Sequence, residues 1–510
     1  MLTPIFKAEG TTEGERKLTK LADLSFFGLW SYASVHRETI KGGNTLRHEV
    51  ADLIVLFGKD VVVFSEKDIK FPEASDVTVA WGRWFRQSVS ESVGQLRGAE
   101  RYIKSKRSAL FLDAKCTRPL PFPLDTPDLR VHLVAICRNS SGPGKTYFAK
   151  ADSKGGSSGS GTLAFLAQLR EEQMLASPFC IGDFDPEKTF IHVFDEEALS
   201  LLLTELDAGP DFIEYLLVRE RAVRKDRLSV FHGEEDFLAV YLSNMQETGF
   251  GDYQPDVPVG SDAEDVVVIQ EGLWTVFTQL DSYAEHAEQR AMASTWKAIT
   301  NDFSHAVLTA NVGEAFDVSL ETHERAVRAM ASENRVSRAV LGRALVEKFK
   351  AVPTGARSAR VIPSLSNPER LYIFLIFPWT SELKTYEAYR AARTDCMKVY
   401  AQAAQVEYPA YSEIVVLGAD TKGSDGSSET VLVVERNPDM SEEEIATTRA
   451  MMAELNVLMD VSKSNFFDHR PWAQSTTRPM GILSKPSKLP GVNEPCFCGS
   501  GKKYKKCCRP

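Results

Sequence analysis

Two apolar runs standing almost end to end, Leu53–Phe57 (LIVLF) and Val61–Phe64 (VVVF), constrain this chain more than any other stretch. Only Gly58-Lys59-Asp60 separates them, and a glycine in so short a connection supplies the permissive backbone of a hairpin turn. The runs therefore predict two buried antiparallel strands. Acidic residues stand where the first begins (Glu49, Asp52), and a charged cluster stands where the second ends (Glu66, Lys67, Asp68, Lys70). In an antiparallel pair those ends lie side by side, so carboxylates and lysines are expected at one corner of an apolar sheet. A carboxylate buried against Val and Ile is costly unless something binds it. A divalent cation is a natural partner, and a lysine beside it could steer water towards a phosphate.

The rest of the chain is too long to share that one core. Its 510 residues suggest three or four domains, and the mixture of strands and helices predicts a mixed α/β class. The net charge of −10 argues against a general coat for nucleic acid, so a phosphate-binding surface has to be local. One candidate follows the hairpin. AWGRWFRQSVSESVGQLRGAERYIKSKR has a rough helical period and carries Arg83, Arg86, Arg97, Arg101 and Lys104, with Lys106 and Arg107 beyond. Such a helix beside a metal corner would attract a phosphate backbone without reading sequence. Upstream, Thr12–Leu24 predicts an amphipathic helix capped by Thr11 or Thr12. The aromatic run SFFGLWSYASVHR after it is expected to be a helix packed on the sheet, with His36 a surface or turn histidine.

Two further short strands, Ala109–Asp113 and Val131–Cys137, extend the sheet to at least four. The Gly- and Ser-rich stretch from Arg138 to Thr162 is expected to be a mobile hairpin and linker. Its GPGKT has Asn139 where a phosphate loop needs its first glycine. Residues 176–350 read as mainly helical, and the acids Glu234, Glu235 and Asp236 suit the positive end of a helix. Residues 351–461 alternate buried strands with helices as a second small α/β domain of unknown role, and 462–492 read as a flexible linker. The longest apolar run, Leu371–Trp379, is far short of a membrane span, and MLTPIFKAEG lacks the order of a signal peptide. The expected location is cytoplasmic. Cys116, Cys137, Cys180 and Cys396, scattered singly, are expected to be reduced thiols.

The hairpin corner resembles the PD-(D/E)XK nuclease superfamily, whose site is an Asp opening one strand and an acid with a Lys closing the next. The resemblance covers about the first 175 residues and implies a restriction-endonuclease-like α/β domain. It implies that Asp52 and Glu66 hold Mg²⁺, that Lys67 positions the attacking water, and that Glu49 or Glu15 adds a carboxylate. Glu66 and Lys67 are adjacent, whereas the family motif spaces its acid and Lys two apart, so that both face one side of the strand. Asp68-Ile69-Lys70 fits that spacing and is the reserve pair. Gln95 is similar to a glutamine that some members carry on the helix after the catalytic strand. The implied activity is metal-dependent hydrolysis of nucleic acid, taken as DNA, with defence against foreign DNA as one setting.

The chain closes with NEPCFCGSGKKYKKCCRP, in which Cys496, Cys498, Cys507 and Cys508 supply four thiolates, enough for a closed tetrahedral Zn²⁺ site. A segment with no apolar core would draw its folding energy from the metal. This tail, 493–510, resembles the SEC-C motif at the end of the SecA export motor and implies a zinc-bound recognition module without the motor. A second reading stays open: a non-catalytic zinc-binding protein that docks on a chaperone, a ribosome or another protein.

Overall fold

The hairpin forms as the two apolar runs predict. In the computed structural model, strands β2 (Asn44–Phe57) and β3 (Asp60–Lys67) pair antiparallel from Phe57↔Asp60 to Leu53↔Phe64, and Gly58 sits at φ +64° in the turn. An L side chain there would be strained, at a cost of about 1 kcal/mol. Before them come helix α1 (Glu13–Phe26) and strand β1 (Ser31–Lys41), which pairs with β2. Thr12 caps α1 in a reciprocal box with Glu15. The aromatic run is therefore not a helix. Phe27 and Gly28 both adopt positive φ and stop α1, and Trp30 and Tyr32 are buried as the chain turns into β1. The structure describes residues 2–459 apart from 42–43, 106–108, 123, 125–127, 153–161, 255–266, 313–317 and 423–428.

A continuous helical rod follows β3: α2 (Val77–Phe85), one π-helical turn (Arg86–Ser90) and α3 (Glu91–Lys104). It carries the chain across to β4 (Leu110–Phe111) and β5 (Arg130–Cys137), the latter parallel to β3. The Gly- and Ser-rich stretch, expected to be a hairpin and linker, contains a helix, α4 (Ser141–Asp152). Then come β6 (Ala164–Leu166), α5 (Glu171–Met174), β7 (Cys180–Ile181) and β8 (Ile191–Phe194). β8 joins β5, which completes a six-stranded sheet in the order β4-β1-β2-β3-β5-β8.

Helices α6 (Glu196–Glu205), α7 (Gly209–Arg224) and α8 (Glu234–Ser243) alternate with β9 (Leu228–Phe231) and β10 (Val267–Ile269), which build a second sheet, β10-β9-β6-β7. One buried apolar cluster runs from Leu18 to Ala331 and takes in both sheets. No break in the core falls at residue 175, because strands on both sides of that point share one sheet. Helices α9 (Leu273–Phe277), α10 (Asp281–Met292), α11 (Ser294–Leu308), α12 (Leu320–Ala331) and α13 (Arg335–Ala351) follow among the described residues.

The last unit is a sheet in the order β11-β12-β13-β14 (Ser358–Pro363, Arg370–Ile376, Glu413–Ala419, Thr430–Glu435), with α14 (Tyr386–Glu407) and α15 (Glu442–Leu455) packed on it. Ser441 and Glu444 form the capping box that their spacing predicts. The fully buried Glu333 joins this sheet to the helices. It accepts from Ser337, Ser364, Ser366, Tyr372 and the Arg370 guanidinium at 2.5–2.9 Å. Among the described residues no helix is long and apolar enough to cross a membrane.

Candidate active site

The corner is set by strand alternation. Extending the β2–β3 register one residue past Leu53↔Phe64 puts Asp52 beside Ser65. Opposed residues share a face of a sheet, and so do residues two apart on a strand. Asp52, Ser65 and Lys67 therefore point one way, towards α3, and Glu66 points the other way, towards α1.

On the α3 face, one side chain gathers the other three. The Gln95 amide donates to Asp52 Oδ1 at 3.1 Å, and its carbonyl oxygen accepts from Lys67 Nζ at 2.9 Å and from Ser65 Oγ at 3.0 Å. Ser65 Oγ also lies 3.2 Å from Ser92 Oγ, one turn earlier on α3. The second Asp52 oxygen accepts from the Glu66 backbone amide at 2.5 Å. Burial raises the Asp52 carboxyl above its ordinary 3.8, against the Glu66 amide, Lys67 and Gln95, all of which lower it; nearby Glu15 adds to the rise. Glu49 reaches solvent, yet partial desolvation and then the charge of Asp52 raise its carboxyl from 4.5. Glu15 lies within electrostatic reach of both, but its carboxylate is already used to cap α1, accepting from the Thr11 amide at 2.6 Å.

On the opposite face, the Glu66 carboxylate pairs with the Arg138 guanidinium, and both side chains are largely buried. Gly14 of α1 lies directly above: a Cβ there would come within 2.1 Å of Glu66 Oε1. Burial raises the Glu66 carboxyl from 4.5, and Arg138 opposes that rise.

The expected metal pair is corrected by this geometry. Asp52 and Glu66 lie on opposite faces, both Asp52 oxygens already accept hydrogen bonds, and Glu66 is neutralised by Arg138. Among the described residues no group of three His, Cys, Asp or Glu side chains is placed to hold a metal ion. These residues do not fit a shared Mg²⁺. The place that the motif gives its acid, two before Lys67, is held by Ser65. Nor do Asp68 and Lys70 replace them, since both are exposed beyond the end of β3 and Asp68 accepts from the Asn139 side-chain amide at 2.7 Å. Sequence reasoning missed Ser65, Ser92 and Arg138. Period-two counting back from Lys67 finds Ser65, and Arg138 is the first residue after β5.

The basic helix is divided. Arg83, Arg86 and Arg101 are exposed, but Glu100 pairs with Arg97 at 3.4 Å and Lys104 at 2.6 Å. The Glu100 carboxyl is held below its ordinary value by Lys104, Thr189 and Arg97, which outweigh its burial. Lys106 and Arg107 lie outside the described residues. Glu234, Glu235 and Asp236 open α8 as expected, and Glu234 further forms a buried pair with Arg219 at 2.8 Å. Cys116, Cys137, Cys180 and Cys396 are free thiols, with Cys137 buried and raised by that burial to about 12.

Cys496, Cys498, Cys507 and Cys508 lie outside the described residues. Residues 493–510 match the SEC-C motif family. A stretch of 25 residues is 80% identical to the protein translocase subunit SecA of Geobacter sulfurreducens, covering 5% of this chain and 3% of that protein. No solved structure matches the chain. The match marks a possible zinc-binding or protein-interaction module and leaves the body of the chain outside it.

Proposed function

We propose that the N-terminal sheet carries a phosphodiesterase site of nuclease type, with Asp52, Lys67 and Gln95 as its working residues and nucleic acid as substrate. The observation behind this reading is the Gln95 amide, which ties a buried carboxylate and an ammonium into one array on one face of the sheet. Lys67 keeps donor capacity beyond its bond to Gln95 and can hold a non-bridging phosphate oxygen. Asp52, raised towards a useful basicity, accepts the proton of a water whose oxygen attacks phosphorus; the P–O bond opposite breaks and the leaving alkoxide takes a proton from solvent. Gln95 fixes the relative positions of acid and amine. Glu66, paired behind the sheet, takes no part in that step.

Plasmid, linear and single-stranded DNA and RNA are incubated with the full chain in Mg²⁺, Mn²⁺ or EDTA. Cleavage that disappears in Asp52→Asn and in Lys67→Met supports the reading. Undiminished cleavage by the double variant, or none by the intact protein in any buffer, overturns it.

A second role belongs to the tail, and the SEC-C match favours it. Cys496, Cys498, Cys507 and Cys508 bind Zn²⁺, and the lysine-rich segment around them docks a protein partner. Full-length protein is expected to carry about one zinc per chain. Full zinc content in Cys507→Ser would remove that assignment.

A further inference from the structure

β4 pairs with β1 at His36 and Arg37, and past it β1 and β2 continue as a two-stranded ribbon. Four register pairs, from Glu38↔Arg47 to Lys41↔Asn44, lie past the end of β4, and every described β2 residue from Asn44 to Glu49 is exposed. At about 3.4 Å per residue these pairs project roughly 10 Å beyond β4. A two-stranded hairpin outside a sheet gains little from its own packing. Its side chains are nevertheless sorted by charge. Arg37, Thr39, Asn44, Leu46 and His48 share one face, which has no acid, whereas Glu38 and Glu49 are on the other with Arg47. On that second face Arg47 pairs with Glu38 at 3.1 Å, and Glu49 remains as a further acid. Arg37 stacks over the ring of Tyr102 at 4.8 Å, so the acid-free face turns towards α3, the helix that carries Gln95.

We infer that this ribbon is an arm for double-stranded DNA, laid in the major groove next to the phosphate to be cut. Charge complementarity favours this occupant: a chain of net charge −10 keeps acids off the one projecting face beside the site. Shape decides between duplexes. A two-stranded ribbon fits the wide major groove of B-form DNA, whereas the deep, narrow major groove of A-form RNA excludes it. Arg37, His48 and Asn44 offer donors for phosphate and base edges, and Leu46 offers apolar contact for a thymine methyl. The class of partner rests on the nuclease reading; the arm itself is tested by binding.

Thr39 and Thr45 make the test internally controlled, since they lie on opposite faces of the same ribbon. Anisotropy titrations of the full chain in EDTA read binding apart from cleavage, with labelled DNA and RNA duplexes two helical turns long. Thr39→Glu is expected to weaken DNA-duplex binding about tenfold and Thr45→Glu less than about twofold, with the RNA duplex bound more weakly and indifferent to either. A variant in which Asn-Gly joins Glu38 directly to Arg47 should match the loss of Thr39→Glu, its fold checked by thermal melting. Equal losses from the two glutamates, no loss from either, or the same loss on RNA would overturn the arm. Binding of this pattern without cleavage would leave the arm standing and remove the hydrolase. Cleavage insensitive to Thr39→Glu would do the reverse.

Discussion

At the scale of single residues, the corner holds charge against its preference. Asp52, Glu49 and Glu66 all have carboxyls raised by desolvation, so each binds its proton more tightly folded than unfolded. A group raised on folding contributes stability below its unfolded pKa and loses that contribution as pH climbs through the folded one. Wild-type protein therefore loses stability from these groups between the ordinary carboxylate range and neutrality. Asp52→Asn is expected to flatten that part of the curve and to melt at or above the wild-type temperature at pH 7, as seen in paired melts across pH 4–8. A steeper loss with rising pH in the variant would contradict the assignment. Glu66 is different because Arg138 depends on it. Removing one member of a buried ion pair strands the other, so Glu66→Ala should lose about 3 kcal/mol in denaturant titrations. Adding Arg138→Met should recover most of that loss; no recovery would show that the pair is not what Glu66 contributes.

Among elements, the hairpin was legible because two β-branched runs flank a glycine turn, and residue burial there follows the pattern expected from sequence. Which acid would face Lys67 was legible only in part. Adjacent strand residues diverge, and that rule disfavours Glu66 and counts back from Lys67 to Ser65, but nothing in the local sequence pairs Arg138, 72 residues on, with Glu66. The helix expected at SFFGLWSYASVHR failed because aromatic residues suit either element, and two positive-φ residues, Phe27 and Gly28, turn the chain. Helix α4 was hidden by the flexible composition of its own residues and of those around it. Packing between elements also gives a prediction: Gly14 is the only residue type that lets α1 lie on Glu66. Gly14→Ala should drive the Glu66 carboxylate from Arg138 and lower the melting temperature by several degrees, although alanine favours a helix. A rise in melting temperature would show that the helix yields instead.

For the molecule as a whole, one core joins the N-terminal sheet to the helices up to Ala331, a second packs α14 and α15 on the C-terminal sheet, and a third, with Trp296, Met330 and Leu341 against Tyr372 and Phe374, joins with Glu333 to tie the helices to that sheet. Sequence texture placed boundaries at 175 and 351, but a sheet is shared across the first and an apolar cluster across the second, because pairings such as Leu133↔Ile191 and Phe165↔Phe231 leave no local mark. Among the described residues, the apolar cores are built from residues before 460. Truncation before residue 460 should therefore leave the main melting transition within about 2 °C of full length while removing the bound zinc. A large fall would mean that the tail packs on the body. The central claim is that catalysis belongs to the α3 face of the β2–β3 corner. It is tested most directly by single-turnover DNA cleavage rates of Asp52→Asn and of the Glu66→Ala, Arg138→Met pair, each confirmed folded. The account predicts a loss of at least about 100-fold in the first and a rate within a few-fold of wild type in the second; equal losses in both, or an active Asp52→Asn, would contradict it.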